Sequence, residues 1–108
     1  MAHRRKYVPE GEKVLLALTL AQRDLILDHT MAGSDLTGAL AVAEIKNSRI
    51  IVRYTLDHIE ELAGYVAAEA NHAKDKKLQK RLDAVFALVT KVQDSYYDDM
   101  SPDHILGE

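Results

Sequence analysis

The chain contains no cysteine and no tryptophan, and only one phenylalanine occurs among its 108 residues. Without cysteine it can form neither a disulfide framework nor a thiolate metal site or thiolate nucleophile. With so few large aromatic side chains, its core has to be built from aliphatic residues and alanine. A small chain with such a core buries little area of its own, and we therefore expect it to share burial with a second subunit.

Long apolar runs and a strong excess of one charge are also missing. No stretch approaches the roughly 20 apolar residues that span a membrane. The basic segment Met1–Tyr7 is followed by polar residues, so it does not have the pattern of a signal peptide, and we expect a cytoplasmic protein without membrane contact. A net charge of −3 argues against nucleic acid as the main partner.

The length predicts a single domain with less ordered ends. Residues 1–13 are interpreted as a flexible basic arm that ends in a Pro/Gly turn. Residues 14–97 carry the periodic patterns and are interpreted as one helical domain. Residues 98–108 contain four acids, a proline and a glycine, and are interpreted as an acidic C-terminal tail.

The stretch Arg49–Ala73 has the clearest local pattern in the chain. Ile50, Ile51 and Val52 are β-branched and favour a strand, in which Ile50 and Val52 lie on one face and Ile51 on the other. Thr55 suits the N-cap of a helix, because its hydroxyl can accept from a free amide in the first turn. From Leu56 onward, apolar residues recur with helical spacing.

The same pattern, a strand followed by a threonine-capped helix, occurs earlier in the chain. Val14–Leu18 is a short apolar run, and Thr19 and Gln22 have the spacing of a capping box, so a strand followed at once by a helix from Leu20 to about Met31 is predicted. The two strands are expected to pair as a ribbon. Both would be apolar edges, and a second subunit is the simplest cover for them.

Two further helices complete the prediction. One is expected at Leu36–Lys46, and the apolar positions after Asp75 are out of phase with those before Asn71, which predicts a turn and a last helix at Lys76–Tyr97. The expected fold is mainly α with minor β content: four helices and a short two-stranded β ribbon in the order β-α-α-β-α-α, with a C-terminal helical hairpin.

One group of side chains has the composition of a metal site. Glu69 and His72 have the Glu-x-x-His spacing of di-iron carboxylate bundles, and Asp75 adds an oxygen ligand nearby. Such bundles use two of these units and two further glutamates, and the sequence has one unit. A network that closes the turn explains the same residues, because Asn, His and Asp bond well to loop backbone.

The most concentrated charge in the chain is basic and follows that turn. It consists of Lys76, Lys77, Lys80 and Arg81, beside Lys74. Cations at the start of a helix oppose its dipole, which favours an acidic or phosphate-bearing partner. The alternative is that these cations lie against the negative end of the preceding helix and pair with Glu69.

No pattern predicts catalysis. Gly-rich phosphate loops and strand-elbow nucleophiles do not occur, so no catalytic residue and no cofactor is predicted, and we do not expect an enzyme. The function predicted is a small protein–protein interaction or dimerisation module, with a homodimer and an acidic protein as the expected partners. Two alternatives stay open: a helical metal-binding protein that uses Glu69 and His72, and a DNA-associated regulator in which Ser48–Leu62 is a helix presenting Arg49, Arg53 and Tyr54 to DNA.

Overall fold

A three-stranded antiparallel sheet in the order β2-β4-β3 lies at the centre of the molecule. The structure is a computed structural model, and it describes residues 6–9 and 11–97. The central strand β4 pairs along its whole length with β2 and, at its first residues, with the short β3. The bounds of these strands are β2 Lys13–Thr19, β3 Glu44–Lys46 and β4 Arg49–Thr55.

Four helices accompany this sheet, and two very short strands, β1 and β5, pair in parallel beside it. Within the segment interpreted as a flexible arm, Lys6–Tyr7 form β1 and Val8 is buried. The first five residues, Glu10 and the predicted acidic tail at 98–108 lie outside the described residues. The bounds of the remaining elements are α1 Leu20–His29, α2 Ser34–Ala41, α3 Leu56–His72, α4 Lys76–Asp94, β1 Lys6–Tyr7 and β5 Tyr96–Tyr97.

The two strand-to-helix junctions are formed as predicted. Thr19 accepts a hydrogen bond from the Gln22 amide at 3.1 Å, and the Gln22 side chain accepts from the Thr19 amide at 3.0 Å, so the capping box is complete. Thr55 accepts from the His58 amide at 3.2 Å. Both threonines satisfy amides that the first helical turn leaves without an intrahelical partner, and both helices begin one residue later.

The core lies between one face of the sheet and the helices. Strand alternation places Val14, Leu16 and Leu18 of β2 on this face, opposite Tyr54, Val52 and Ile50 of β4. The helices complete the core with buried aliphatic residues: Leu25, Ile26, Leu36, Leu40, Ile59, Leu62, Ala63, Val66, Ala70, Leu82, Val85 and Val89. Among the described helices, none is both long and apolar enough to cross a membrane.

The fold class predicted from the sequence is wrong. The arrangement is α+β, with four helices and a three-stranded sheet in place of a two-stranded ribbon. The helix predicted at Leu36–Lys46 ends at Ala41, and the last three residues of that range form β3. Asn47 and Ser48 both adopt positive φ, at 53° and 66°, and close a hairpin between β3 and β4. Mirror-image turns of this kind match the twist of two antiparallel strands. As a consequence β4 is the central strand, and of the two apolar strands predicted to be edges only β2 is one.

The structure also differs from the alternative in which Ser48–Leu62 forms one helix. Residues Arg49–Thr55 of that range are strand, and Tyr54 is only 1% exposed. Its hydroxyl donates a hydrogen bond to the carbonyl oxygen of Leu36, which ties β4 to α2 inside the core. Tyr54 therefore does not lie on a surface that a DNA duplex could contact.

Candidate interaction surfaces

The free edge of β2 is the first candidate surface. Within residues 6–9 and 11–97, β2 pairs with β4 alone, so its other edge pairs with no strand. Backbone groups along an unpaired edge are a template for another chain. The sequence of β2, KVLLALT, contains no proline, and its only charge is Lys13 at its first position.

The β3–β4 turn determines which amides of β2 point to that edge. In a two-residue hairpin the closing pair, here Lys46 and Arg49, exchanges both backbone hydrogen bonds, so the backbone groups of Arg49 point to β3. The next residue, Ile50, then bonds to Leu18 of β2, and the alternation continues along the ladder. The amides that point away from β4 are therefore those of the odd-numbered residues: Lys13, Leu15, Ala17 and Thr19.

The capping box confirms this assignment independently. The Thr19 amide donates to the side-chain oxygen of Gln22 and so is not part of the β2–β4 ladder. The three amides that are left at the edge are those of Lys13, Leu15 and Ala17. Leu15 is also 52% exposed, on the face of the sheet opposite the core.

That opposite face, which we call the outer sheet face, is the second candidate surface. Residue pairs in the ladder place Leu15 beside Arg53, and Ile51 between Ala17 and Glu44. Four cations surround this aliphatic centre, and all four are exposed: Lys13, Lys46, Arg49 and Arg53. The alternation of β4 was predicted from its sequence, but the contribution of β3 to this face was not, because β3 was assigned to a helix.

The third candidate is the basic cluster at the start of α4. Lys76, Lys77 and Lys80 line one open depression together with Gln79 and Asp83. Arg81 lies apart from them and lines depressions shared with α1, where Asp24 and Asp28 are found. No ion pair involves these four cations in the part of the chain that the structure describes, so the predicted pairing with Glu69 is not formed.

Two of the three predicted metal ligands, Asp75 and His72, make hydrogen bonds to nearby backbone groups. Asp75 caps α4, where its Oδ1 accepts from the Lys77 amide at 2.8 Å. The Nδ1 of His72 donates to the carbonyl oxygen of Ala68 at 2.8 Å, one turn earlier in α3. Glu69 is half-buried on the same helix. Among residues 6–9 and 11–97, no group of three or more His, Asp or Glu side chains has the arrangement of a metal site.

The interior offers no competing site within the described residues. Every buried side-chain nitrogen or oxygen there has a hydrogen-bond partner. The buried Tyr54 hydroxyl is satisfied by Leu36, and burial raises its pKa above the ordinary value of 10.0, so it is a neutral structural donor. The candidate surfaces of this protein are therefore exterior ones.

Comparison with known proteins gives no further guide to these surfaces, since no protein-family model, curated protein or solved structure matches the chain.

Proposed function

We propose that the protein is a cytoplasmic, non-enzymatic interaction module that forms a homodimer through the free edge of β2. The observation that supports this proposal most strongly is the seven-residue length of an apolar edge strand with no strand beside it among the described residues. Exposed edges of this kind promote uncontrolled association unless they are blocked or covered. Common devices that block such an edge are a proline, a bulge or inward-pointing charge, and the residues of β2 supply none of them.

Twofold pairing of β2 with its copy uses the amides that are free. An antiparallel pair centred on Leu15 places Leu15 opposite Leu15 of the partner, and Lys13 opposite Ala17. These are the residues whose backbone groups point outward, and Thr19, whose amide is already bonded to Gln22, stays outside the new ladder. The two sheets would then join into one six-stranded sheet with the same patch meeting itself.

The pairing also covers apolar surface. Leu15 is more than half exposed, and on the outer sheet face it would contact its own copy. On the core-facing side Val14 would lie next to Leu16 of the partner. Burial of apolar surface stabilises such a contact by about 25 cal/mol for each Å² removed from water.

A matched pair of variants tests this assembly. Leu15→Pro removes one outward amide and leaves the bonds between β2 and β4 in place, because proline is tolerated on a strand edge where its nitrogen faces away from the sheet. Leu15→Thr removes the same leucine side chain but keeps the amide. Sedimentation equilibrium should give a dimer for the wild type and for Leu15→Thr, and a monomer for Leu15→Pro.

Two results would contradict the proposal. One is a wild-type chain that sediments at monomer mass at high micromolar concentration. The other is a Leu15→Pro chain that is folded by circular dichroism and still dimeric, which would place the interface elsewhere.

An acidic protein segment is the heterologous partner that the charges of α4 favour. Lys76, Lys77 and Lys80 gather around one depression, which Asp83 also lines, and make no ion pair within the described part of the chain. The positive end of the α4 dipole adds to their field. This surface lies at the start of α4 and is separate from the β2 edge.

A further inference from the structure

Among the described residues the outer sheet face has an excess of positive charge. Lys13, Lys46, Arg49 and Arg53 make no ion pair with any residue of the described ranges 6–9 and 11–97. Glu44 is the one acid on this face. The whole chain has a net charge of −3, whereas this face, with four cations and one acid, is positively charged.

The arrangement within the face has an energetic cost. Lys46 and Arg49 are direct partners in the β3–β4 ladder, and like charges directly opposite one another destabilise a sheet. The centre of the same face exposes Leu15 and leaves Ile51 only half-buried. An occupant that is both acidic and aliphatic would offset the repulsion and cover the apolar centre.

We propose that the occupant is the C-terminal segment of this same chain, residues 98–108, which docks across the outer sheet face. Its acids match the surrounding cations, and its aliphatic side chains match Leu15 and Ile51. The acids are Asp98, Asp99, Asp103 and Glu108, and the apolar residues are Met100, Ile105 and Leu106.

The described chain ends close to the outer sheet face, at the end of the sheet where β2 begins. The last described strand, β5, pairs with β1, where Tyr97 lies opposite Tyr7. From Tyr7 the chain passes buried Val8 and the tight turn in which the Glu12 amide bonds to the Pro9 carbonyl oxygen, and then enters β2 at Lys13. The last described residue, Tyr97, therefore lies near the Lys13 end of the sheet.

The segment is long enough to cross the face. Extended, residues 98–108 reach up to about 36 Å. The seven residues of β2 or β4 span only about 24 Å. The basic cluster of α4 lies at the opposite end of that helix from Asp94: Lys76 and Lys80 precede Asp94 by about 27 Å and about 21 Å of helix.

The chemistry of the face favours a peptide over a nucleic acid. Single-stranded nucleic acids are held by aromatic side chains on which bases stack, and the residues of β2, β3 and β4 that lie on this face include no aromatic one. The docking proposed here takes place within one chain and does not depend on dimerisation through β2.

Disulfide trapping in the full-length protein tests the proposal. The chain has no cysteine, so two introduced cysteines can pair only with each other or with those of another copy. The test variant is Ile51→Cys with Ile105→Cys, and Ala17→Cys with Ile105→Cys is a second one that changes a smaller residue on the same face. The matched control is Gln79→Cys with Ile105→Cys, because Gln79 lies among the lysines of α4, a different cationic surface.

With oxidised glutathione as the oxidant, we expect an intrachain disulfide that forms about tenfold faster from residue 51 or 17 than from residue 79. Adding Arg49→Glu and Arg53→Glu should remove that advantage, since two exposed charge contacts account for roughly a tenfold change. Adding Lys76→Glu and Lys80→Glu should leave it unchanged. Non-reducing electrophoresis and peptide mass spectrometry identify the products.

Three outcomes would overturn the proposal: equal rates from the sheet and from residue 79, an advantage that survives the arginine reversals, or a covalent dimer as the main product. Monomeric sedimentation of the wild type together with fast intrachain trapping would refute the proposed dimer and support the docked segment. Dimeric sedimentation with slow trapping would support the proposed dimer and refute the docked segment.

Discussion

Tyr54 shows most clearly how a single residue is used in this fold. Strand alternation turns its ring into the core, and its hydroxyl donates to the Leu36 carbonyl oxygen at the start of α2. Because a buried hydroxyl without a partner is costly, this bond fixes how α2 sits against β4. The sequence predicted the face on which Tyr54 lies, but not its partner, which is 18 positions away in the chain.

The raised pKa of Tyr54 predicts a pH dependence of stability. Its pKa in the folded protein lies above the ordinary value of 10.0, so the folded state keeps the proton where the unfolded state has lost it. The stability that the neutral tyrosine contributes is complete below about pH 10 and is lost as the pH rises further. Tyr54→Phe should cost about 1 kcal/mol at neutral pH and should flatten the decline above pH 10.

Urea unfolding of the wild type and of Tyr54→Phe at about pH 8 and about pH 11 measures this difference. The gap in unfolding free energy between the two proteins should narrow at the higher pH. A constant gap would show that Tyr54 does not stay protonated in the folded state.

At the scale of the elements, signals between residues close in the chain predicted the structure correctly, whereas the short polar strand β3 was missed. The capping threonines could be predicted because their partners are three residues away, and the break between α3 and α4 because it shifts the helical phase. β3 could not be predicted, since its sequence Glu44–Lys46 is mostly charged and becomes a strand only through pairing with β4. Its absence from the prediction also hid the outer sheet face, because the Lys46–Arg49 pair exists only in that ladder.

Helix α4 packs against the core through one of its faces. Leu82, Val85 and Val89 are fully buried, whereas Phe86 on the same helix is 37% exposed. Leu82→Ala should therefore destabilise the protein by about 2–4 kcal/mol, from lost transfer free energy and the cavity left behind.

The matched control for α4 is Phe86→Ala, which removes a larger side chain from a position that is already partly in water. It should cost clearly less than Leu82→Ala in the same thermal or urea unfolding experiment. A larger cost for Phe86→Ala would mean that this ring is covered in solution, for example by another copy of the chain.

At the scale of the whole molecule, the structure changes the reason for expecting a dimer. The sequence suggested a thin core and two free edges, but the described chain buries a continuous, mainly aliphatic core, and β4 pairs with β2 along its whole length and with β3 at its first three residues. Among the described strands of this sheet the edges are β2 and the short, mostly charged β3, and β2 is the long apolar one, with three outward amides. The dimer proposed here is correspondingly specific: it requires those amides to pair.

Amide hydrogen exchange along β2 is the most direct measurement of this claim. In a monomer the Leu15 and Ala17 amides face solvent and exchange quickly, while those of Leu16 and Leu18 are protected by β4. In the paired dimer Leu15 and Ala17 are protected as well. We predict that, as the protein concentration is raised through the association range, exchange at Leu15 and Ala17 slows while exchange at Leu16 stays the same. Fast, concentration-independent exchange at Leu15 and Ala17 would contradict the account.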